Sequence, residues 1–160
     1  MKTVTRLVLV LAASLALAPW LAAQEFSNLT KLRITVENLD ADSLRLGLTE
    51  ELLKSQILIA LKRDIPKVLV SASAHSMLYV NITTQPVGAG YSAVFLSVRL
   101  ERAVHVLDEE GSTSQGFTVA TVWDKGILFT GDNNTIKSRI LSSLSDRLTL
   151  FAAEYYKANS

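Results

Sequence analysis

Alternating apolar and polar positions are the most regular feature of this sequence. From Lys31 onward, apolar side chains at every second position are separated by polar ones, which is the period-two pattern of a half-buried strand. The same pattern predicts strands over residues 77–85 and from Ser92 onward, joined by a turn at 88–90. The apolar faces of these three strands are Leu32, Ile34 and Val36; Leu78, Val80 and Ile82; and Val94, Leu96, Val98, Leu100, Val104 and Val106.

Two other segments have the three-to-four spacing of amphipathic helices. Thr49 can cap the first, acidic residues 50–51 suit its first turn, and we expect it to end near Asp64, before Pro66. The second follows the chain break predicted at 131–134. Its apolar stripe consists of Ile140, Leu141, Leu144, Leu148, Phe151, Ala152 and Tyr155.

The remaining segments complete the predicted order of elements. Residues 40–48 form a polar connection, 67–71 hold a short apolar strand, and 117–123 are the last strand, after a polar turn at 108–116. The order is therefore β-α-β-β-β-β-α. We predict an α+β fold with a mostly antiparallel sheet and both helices packed on one face, while the other face meets water or a partner.

The N-terminus has the three zones of an export signal. Lys2 and Arg6 precede an apolar run at 7–17, and small residues follow up to Ala23. The run is about ten residues long and a membrane-spanning helix needs roughly twenty, so we predict a cleavable signal peptide over 1–23 rather than a permanent anchor. The chain has no cysteine, and we therefore expect neither lipidation nor disulfides. The expected product is a single periplasmic domain over 24–160.

The charge balance argues against nucleic acid as a partner. The signal peptide holds two of the sixteen basic residues and none of the fifteen acidic ones, which leaves 14 against 15 in the mature domain. A nucleic-acid-binding domain usually shows a basic surplus gathered on one face. The polar side of the last helix is rich in serine and offers no basic face to a membrane, so we expect no stable membrane insertion.

No group of residues in the sequence has the spacing of a catalytic, cofactor or metal site. His75 follows small residues without the glycines of a nucleophile elbow, and we predict an exposed loop histidine. His105 alternates with Arg99 and Glu101, so we expect it on the wet face in a cross-strand pair. The acidic clusters at 108–110 and 40–42 lack the ligand spacing of a calcium loop. We therefore predict no catalytic residue, cofactor or metal.

Two surface features have a functional and a structural interpretation. Trp123 and Phe129 are either an exposed aromatic pair or part of the core, and we favour the core. The outward positions of the central strands combine aromatic, hydroxyl and arginine side chains, a composition found on recognition surfaces and on ordinary exposed sheets. This candidate partner face consists of Tyr79, Asn81, Thr83, Phe95, Ser97 and Arg99.

Several short motifs support a resemblance. They are Leu-Thr-Glu-Glu at 48–51, the long strand at 94–107, Ala-Thr-Val-Trp-Asp at 120–124, Asp-Arg-Leu at 146–148 and Tyr-Tyr-Lys-Ala-Asn at 155–159. Together they resemble a family of small exported bacterial proteins without an assigned activity. The strand order is also similar to that of the N-terminal domain of the Tol-system periplasmic protein and of the lipopolysaccharide-assembly lipoprotein, which implies a role in holding partners in the envelope.

Three functions remain open from the sequence. The first is a non-enzymatic envelope module that binds another envelope protein through the wet sheet face or an exposed edge strand. The second is a carrier of a lipid or other apolar small molecule between the helices and the sheet. The third is a hydrolase that uses His75 or His105. We favour the first.

Overall fold

A computed structural model of the chain describes residues 26–107 and 113–160, and the side chains in these ranges other than those of 105–107 and 113–116. Its elements in chain order are β1 (Lys31–Val36), α1 (Ala41–Arg45), α2 (Glu50–Asp64), β2 (Leu69–Val70), β3 (Ser76–Gly88), β4 (Tyr91–Leu107), β5 (Thr113–Asp132) and α3 (Ile136–Ala158). The strands form one sheet in the order β2-β1-β3-β4-β5. β1 is parallel to both its neighbours, whereas β3, β4 and β5 form an antiparallel meander. The predicted α+β fold is confirmed.

Helix α2 begins and ends where its sequence signals lie. Thr49 is the N-cap, and its hydroxyl accepts a hydrogen bond from the N–H of Leu52 at 3.1 Å. The helix ends at Asp64, because Ile65 precedes proline and leaves the helical conformation at φ −136° and ψ 61°. Local sequence alone therefore predicts both ends of this helix.

The turn between β3 and β4 depends on glycine. Gly88 and Gly90 have φ values of +112° and +82°, in the region that side chains with a Cβ disfavour. Ala89 lies between them at φ +39°. The predicted turn at 88–90 is confirmed, and it fixes the β3–β4 register, in which Leu78 lies opposite Leu100.

The core lies between one face of the sheet and the two long helices. Leu78 and Leu96 from the sheet, Ile57 from α2 and Ile140 from α3 are all fully buried. Both long helices therefore cover the same face of the sheet, as predicted. Within the described residues, no helix is long and apolar enough to span a membrane.

An aromatic cluster closes the core beside β5. Trp123 packs edge-on against Phe26 and Phe151, with ring centroids 6.0 Å and 5.3 Å apart. Trp123 and Phe129 are both buried. The core interpretation of this pair is therefore confirmed, and an exposed aromatic pair is wrong.

The segment predicted as a polar connection contains a short helix instead. Asp40 is the N-cap of α1, and its carboxylate accepts hydrogen bonds from the N–H of Ser43 at 2.6 Å and of Thr84 at 2.7 Å. Burial acts to raise the pKa of Asp40, but these hydrogen bonds hold it below its ordinary value. The helix was not predicted because its anchor, Thr84, is distant in sequence.

The last strand is longer than predicted and the second is shorter. β5 includes Asp124, Lys125 and Gly126 and continues to Asp132, although these residues disfavour strands. They are tolerated because β5 is an edge strand, where these three residues are exposed. The predicted strand at 67–71 is reduced to two residues. The acidic cluster at 108–110 lies outside the described residues.

Candidate functional site

The predicted partner face lies on the outer side of the sheet, away from the helices. All six residues belong to β3 and β4, and the register places them directly opposite one another. The cross-strand pairs are Tyr79–Arg99, Asn81–Ser97 and Thr83–Phe95. The structure therefore brings these residues together, but their environments differ.

The side of this face toward β1 is a polar network whose members mostly contact one another, although the buried Nε of Arg99 has no hydrogen-bond partner among the described residues. The guanidinium of Arg99 lies over the ring of Tyr79, 4.8 Å from its centroid. The side-chain amide of Asn81 donates to the carboxylate of Glu37. Burial, a hydrogen bond to Glu37 and the negative charge of Glu37 all raise the pKa of Tyr79 above its ordinary value. Most of these polar groups are therefore already engaged with one another.

Ser97 belongs to the outer face but is covered. Its exposed fraction is 3%, and it lies opposite Asn81 on one side and Gly126 on the other. The ring of Phe95 reaches over Gly126, where an added Cβ would lie 3.3 Å from Phe95 Cε2. An aromatic side chain next to a cross-strand glycine shields the backbone in this way. Ser97 is therefore not available to a partner.

The side of the outer face toward β5 is apolar and exposed. Leu128 lies directly opposite Phe95, and their exposed fractions are 72% and 43%. We call these two residues the β5 patch. Leu128 was not in the predicted face, because the predicted last strand ends at 123. Val119 is also exposed, but it lies opposite Ala103, about 30 Å further along β5, and is not part of the patch.

Beside the β5 patch, part of the free edge of β5 is open. The N–H of Asn133 donates to the carbonyl of Gly90 at 2.8 Å, so odd-numbered residues of this stretch direct their backbone groups toward β4. Even-numbered residues direct theirs outward. One of these, the carbonyl of Thr130, accepts a hydrogen bond from Arg139 Nη1 at 2.7 Å. Between 124 and 128, the edge offers its N–H and C=O groups to solvent.

The histidines do not form a catalytic arrangement in the described residues. His75 is exposed, as predicted, and makes no hydrogen bond within the described part of the chain. It borders a cleft of about 270 Å³ that also contains Ser73 and Ser76. The backbone of His105 lies opposite Phe117, and its side chain is outside the described residues. Among those that are described, no group of three acidic or histidine side chains could hold a metal ion.

The space between the helices offers little room for an apolar ligand. In the described part of the chain, the gap between α2 and α3 measures about 50 Å³. One water molecule occupies about 30 Å³ in the liquid, so this gap is too small for an alkyl chain. The interior is instead filled by aliphatic and aromatic side chains. The carrier hypothesis places its ligand between the helices and the sheet, so this gap does not test it and it stays a prediction.

Comparison with solved structures finds five matching chains, among them a PelC dodecamer and a minor lipoprotein. A PelC dodecamer from Paraburkholderia phytofirmans is 15% identical at a TM-score of 0.44, with 75% of this chain and 84% of that one covered. A minor lipoprotein from Acinetobacter baumannii is 14% identical at a TM-score of 0.36, with coverage of 82% and 92%. No family model matches the chain, and no curated protein does. The resemblance to the Tol-system domain and the lipopolysaccharide-assembly lipoprotein stays a prediction.

Proposed function

We propose that this chain is a non-enzymatic module of the bacterial envelope that acts in the periplasm and binds an extended segment of another envelope protein along β5. The observation that carries the proposal is the β5 patch, Phe95 and Leu128, which lies next to an open stretch of strand edge. Exposed apolar side chains next to unpaired backbone groups are the combination that strand addition uses. The backbone pairing supplies affinity, and the patch selects the side chains of the partner.

The exposed apolar surface of the patch can contribute usefully to binding. Fully burying one aliphatic side chain is worth about 1.5–3 kcal/mol. Leu128 and Phe95 are 72% and 43% exposed, and the same range holds for phenylalanine, so covering both contributes about 2–3 kcal/mol before the cost of association is subtracted. This suits a reversible interaction that also relies on backbone hydrogen bonds.

Two features of the chain support an envelope role without catalysis. The sequence begins with the zones of an export signal, Lys2 and Arg6 followed by the apolar run at 7–17. The exposed His75 has no hydrogen-bonded serine or carboxylate among the described residues, and a histidine acting as a general base needs such a partner within reach. Both features fit a module that binds and does not react.

The experiment compares two variants by crosslinking in the periplasm. Leu128→Asp places a charge in the β5 patch, and Ile59→Asp places the same charge at a residue of α2 that is 60% exposed and lies on the other side of the sheet. We expect the unaltered chain and Ile59→Asp to give the same discrete protein adduct by mass spectrometry. Leu128→Asp should lose it while keeping the thermal unfolding midpoint of Ile59→Asp.

Hydrogen exchange gives a direct measure of strand addition. With the crosslinked partner bound, the amides of Gly126 and Leu128 should become protected, because they face the free edge of β5. Equal adducts in both variants, or protection confined to the helices, would contradict the proposal. The same holds for recovery of the bare monomer.

A further inference from the structure

The sheet has a second open edge, on β1, at the side opposite β5. β2 pairs only with the first two residues of β1, Lys31 and Leu32. The N–H of Ser71 donates to the carbonyl of Leu32 at 2.9 Å, so Leu32 directs its backbone toward β2. Backbone groups alternate in direction along a strand, and those of Ile34 therefore point the same way. β2 has ended at that point, which leaves the edge open.

The pairing of β1 with β3, on its other side, also shows that the backbone groups of Ile34 point toward the open edge. The N–H of Glu37 donates to the carbonyl of Val80 in β3 at 2.9 Å. Odd-numbered residues of β1 thus use their backbone groups to pair with β3. The N–H and C=O of Ile34 are not needed for that ladder and face outward.

A cleft of about 410 Å³ lies along this open edge. One wall is the edge itself at Ile34, and helix α2 forms another wall through Leu58. Val70 and Ala72, from β2 and the residues after it, complete an apolar lining. The cleft therefore combines strand backbone and apolar side chains in one continuous surface.

Two cationic residues also line this cleft, Lys54 from α2 and Arg33 from β1, whose side chain lies on the outer face of the sheet. The guanidinium of Arg33 contacts the Sδ of Met77 at 3.3 Å and forms no ion pair among the described residues. Lys54 pairs with Glu50, one turn earlier on α2, and such an exposed pair contributes little. The cleft thus keeps a net positive charge, which complements a carboxylate.

We propose that this cleft binds an extended peptide segment that carries a carboxylate, either at its C-terminus or on an acidic side chain. The peptide adds to the sheet at Ile34, and one of its apolar side chains lies between Leu58 and Val70. Its carboxylate lies at Lys54, and Arg33 joins it by leaving Met77 and turning around the open edge. The site is separate from β5, so the two proposals stand or fail independently.

A peptide fits this cleft better than an alkyl chain does, because one wall carries polar backbone groups. An alkyl chain would remove the N–H and C=O of Ile34 from water without replacing their hydrogen bonds, which is unfavourable. An extended peptide supplies a carbonyl and an N–H at strand spacing. The open edge therefore selects for a peptide.

The test is an NMR titration of the isotopically labelled chain. The probes are two pools of short randomised peptides, one with free C-terminal carboxylates and one with C-terminal amides, and sodium decanoate. We expect saturable shifts at the amides of Ile34 and Ala72 with the free-acid pool. If the amidated pool gives no shifts, the bound carboxylate is the C-terminal one. If amidated peptides with acidic side chains still give the shifts, the bound carboxylate is on a side chain. Shifts at Ile34 with decanoate alone, or with none of the probes, overturn the proposal.

Matched variants locate the site. Arg33→Glu and Lys54→Glu should each weaken the binding of a selected peptide about tenfold, because each removes a charge-assisted contact. Lys62→Glu makes the same change on α2 outside the cleft lining and should leave the affinity unchanged. An equal loss in Lys62→Glu would contradict the proposed position of the carboxylate.

Filling the cleft provides a second control that does not depend on charge. Ser55→Trp introduces a large side chain at a residue that lines the cleft, and it should abolish peptide binding. Gln56→Trp, at the next residue, faces the groove toward α3 and should bind normally. Leu128→Asp should also bind normally, which separates this site from β5. Normal binding by Ser55→Trp would overturn the proposal.

Discussion

A buried pair of hydroxyl groups connects helix α1 to the sheet and can be tested by a double-mutant cycle. Ser43 Oγ and Thr84 Oγ1 are 2.8 Å apart, and both residues are buried. The Ser43 side chain also hydrogen-bonds to the Asp40 carboxylate, whereas the Thr84 hydroxyl has Ser43 as its partner within the described residues. Removing the Ser43 hydroxyl therefore leaves that of Thr84 buried and unsatisfied, but removing the Thr84 hydroxyl leaves Ser43 bonded to Asp40.

The expected free energies follow from this geometry. Ser43→Ala loses two hydrogen bonds and leaves the buried Thr84 hydroxyl unsatisfied, which costs about 1–3 kcal/mol of unfolding free energy. Thr84→Val loses one hydrogen bond, at about 0.5–1.5 kcal/mol, because Ser43 keeps its bond to Asp40. The double variant leaves neither hydroxyl unsatisfied, so it should cost less than the sum of the single variants, by a coupling energy of about 1–2 kcal/mol. The higher helix propensity of alanine enters both legs of the cycle and cancels.

Urea unfolding of the unaltered chain, the two single variants and the double variant measures this coupling, provided that all four have the same m-value. The control is the exposed pair Ser71–Ser73, whose hydroxyls are 3.0 Å apart in solvent. Water replaces a lost partner there, so the coupling in that cycle should be close to zero. If the buried pair proves additive within about 0.3 kcal/mol, the hydroxyl bond does not stabilise α1 on the sheet and the reasoning is refuted.

Three further predictions concern single residues. Asp40→Ala should lower the unfolding free energy by about 1–2 kcal/mol at pH 7 and by less at pH 3. The folded pKa of Asp40 is lowered, so its stabilisation is present above its unfolded pKa and is lost as the pH falls through the folded value; urea unfolding at both pH values checks this. Trp123→Ala should cost about 3–5 kcal/mol in urea unfolding because it removes a buried ring that contacts Phe26. Tyr79 should ionise at a higher pH than an ordinary tyrosine, and Glu37→Gln should lower its pKa, as followed by ultraviolet absorbance.

The parts of the fold that local sequence determines could be predicted, and the rest depends on distant contacts. Alternation placed β3 and β4, and the cap at Thr49 and the proline after Ile65 placed both ends of α2. Helix α1 could not be predicted, because its N-cap also bonds to a backbone N–H of β3, in another part of the sequence. The far half of β5 was missed because its polar residues are tolerated only at the edge of a sheet.

The sequence predicted where the candidate partner face lies, but not which of its residues are covered or already hydrogen-bonded. The six predicted residues do share one face, since period-two alternation assigns faces directly. Sequence could not show that Ser97 is covered or that Asn81 is engaged with Glu37, because both depend on cross-strand neighbours. Leu128 could have been included if the strand had been extended past Gly126, since the apolar run at 127–129 has the composition of a strand.

Both open edges of the sheet are short, and their length limits which partners can pair with them. On β5, Arg139 donates a hydrogen bond to the carbonyl of Thr130. Lys125 lies opposite buried Val98, so a charged residue stands at a position on the core side of the strand. Both are devices that prevent edge strands from pairing along their whole length. On β1, the open stretch at Ile34 is bounded by β2. Because each opening spans only a few residues, it can accept a short extended segment but not the long edge of a second copy, and this geometry favours recognition over self-association.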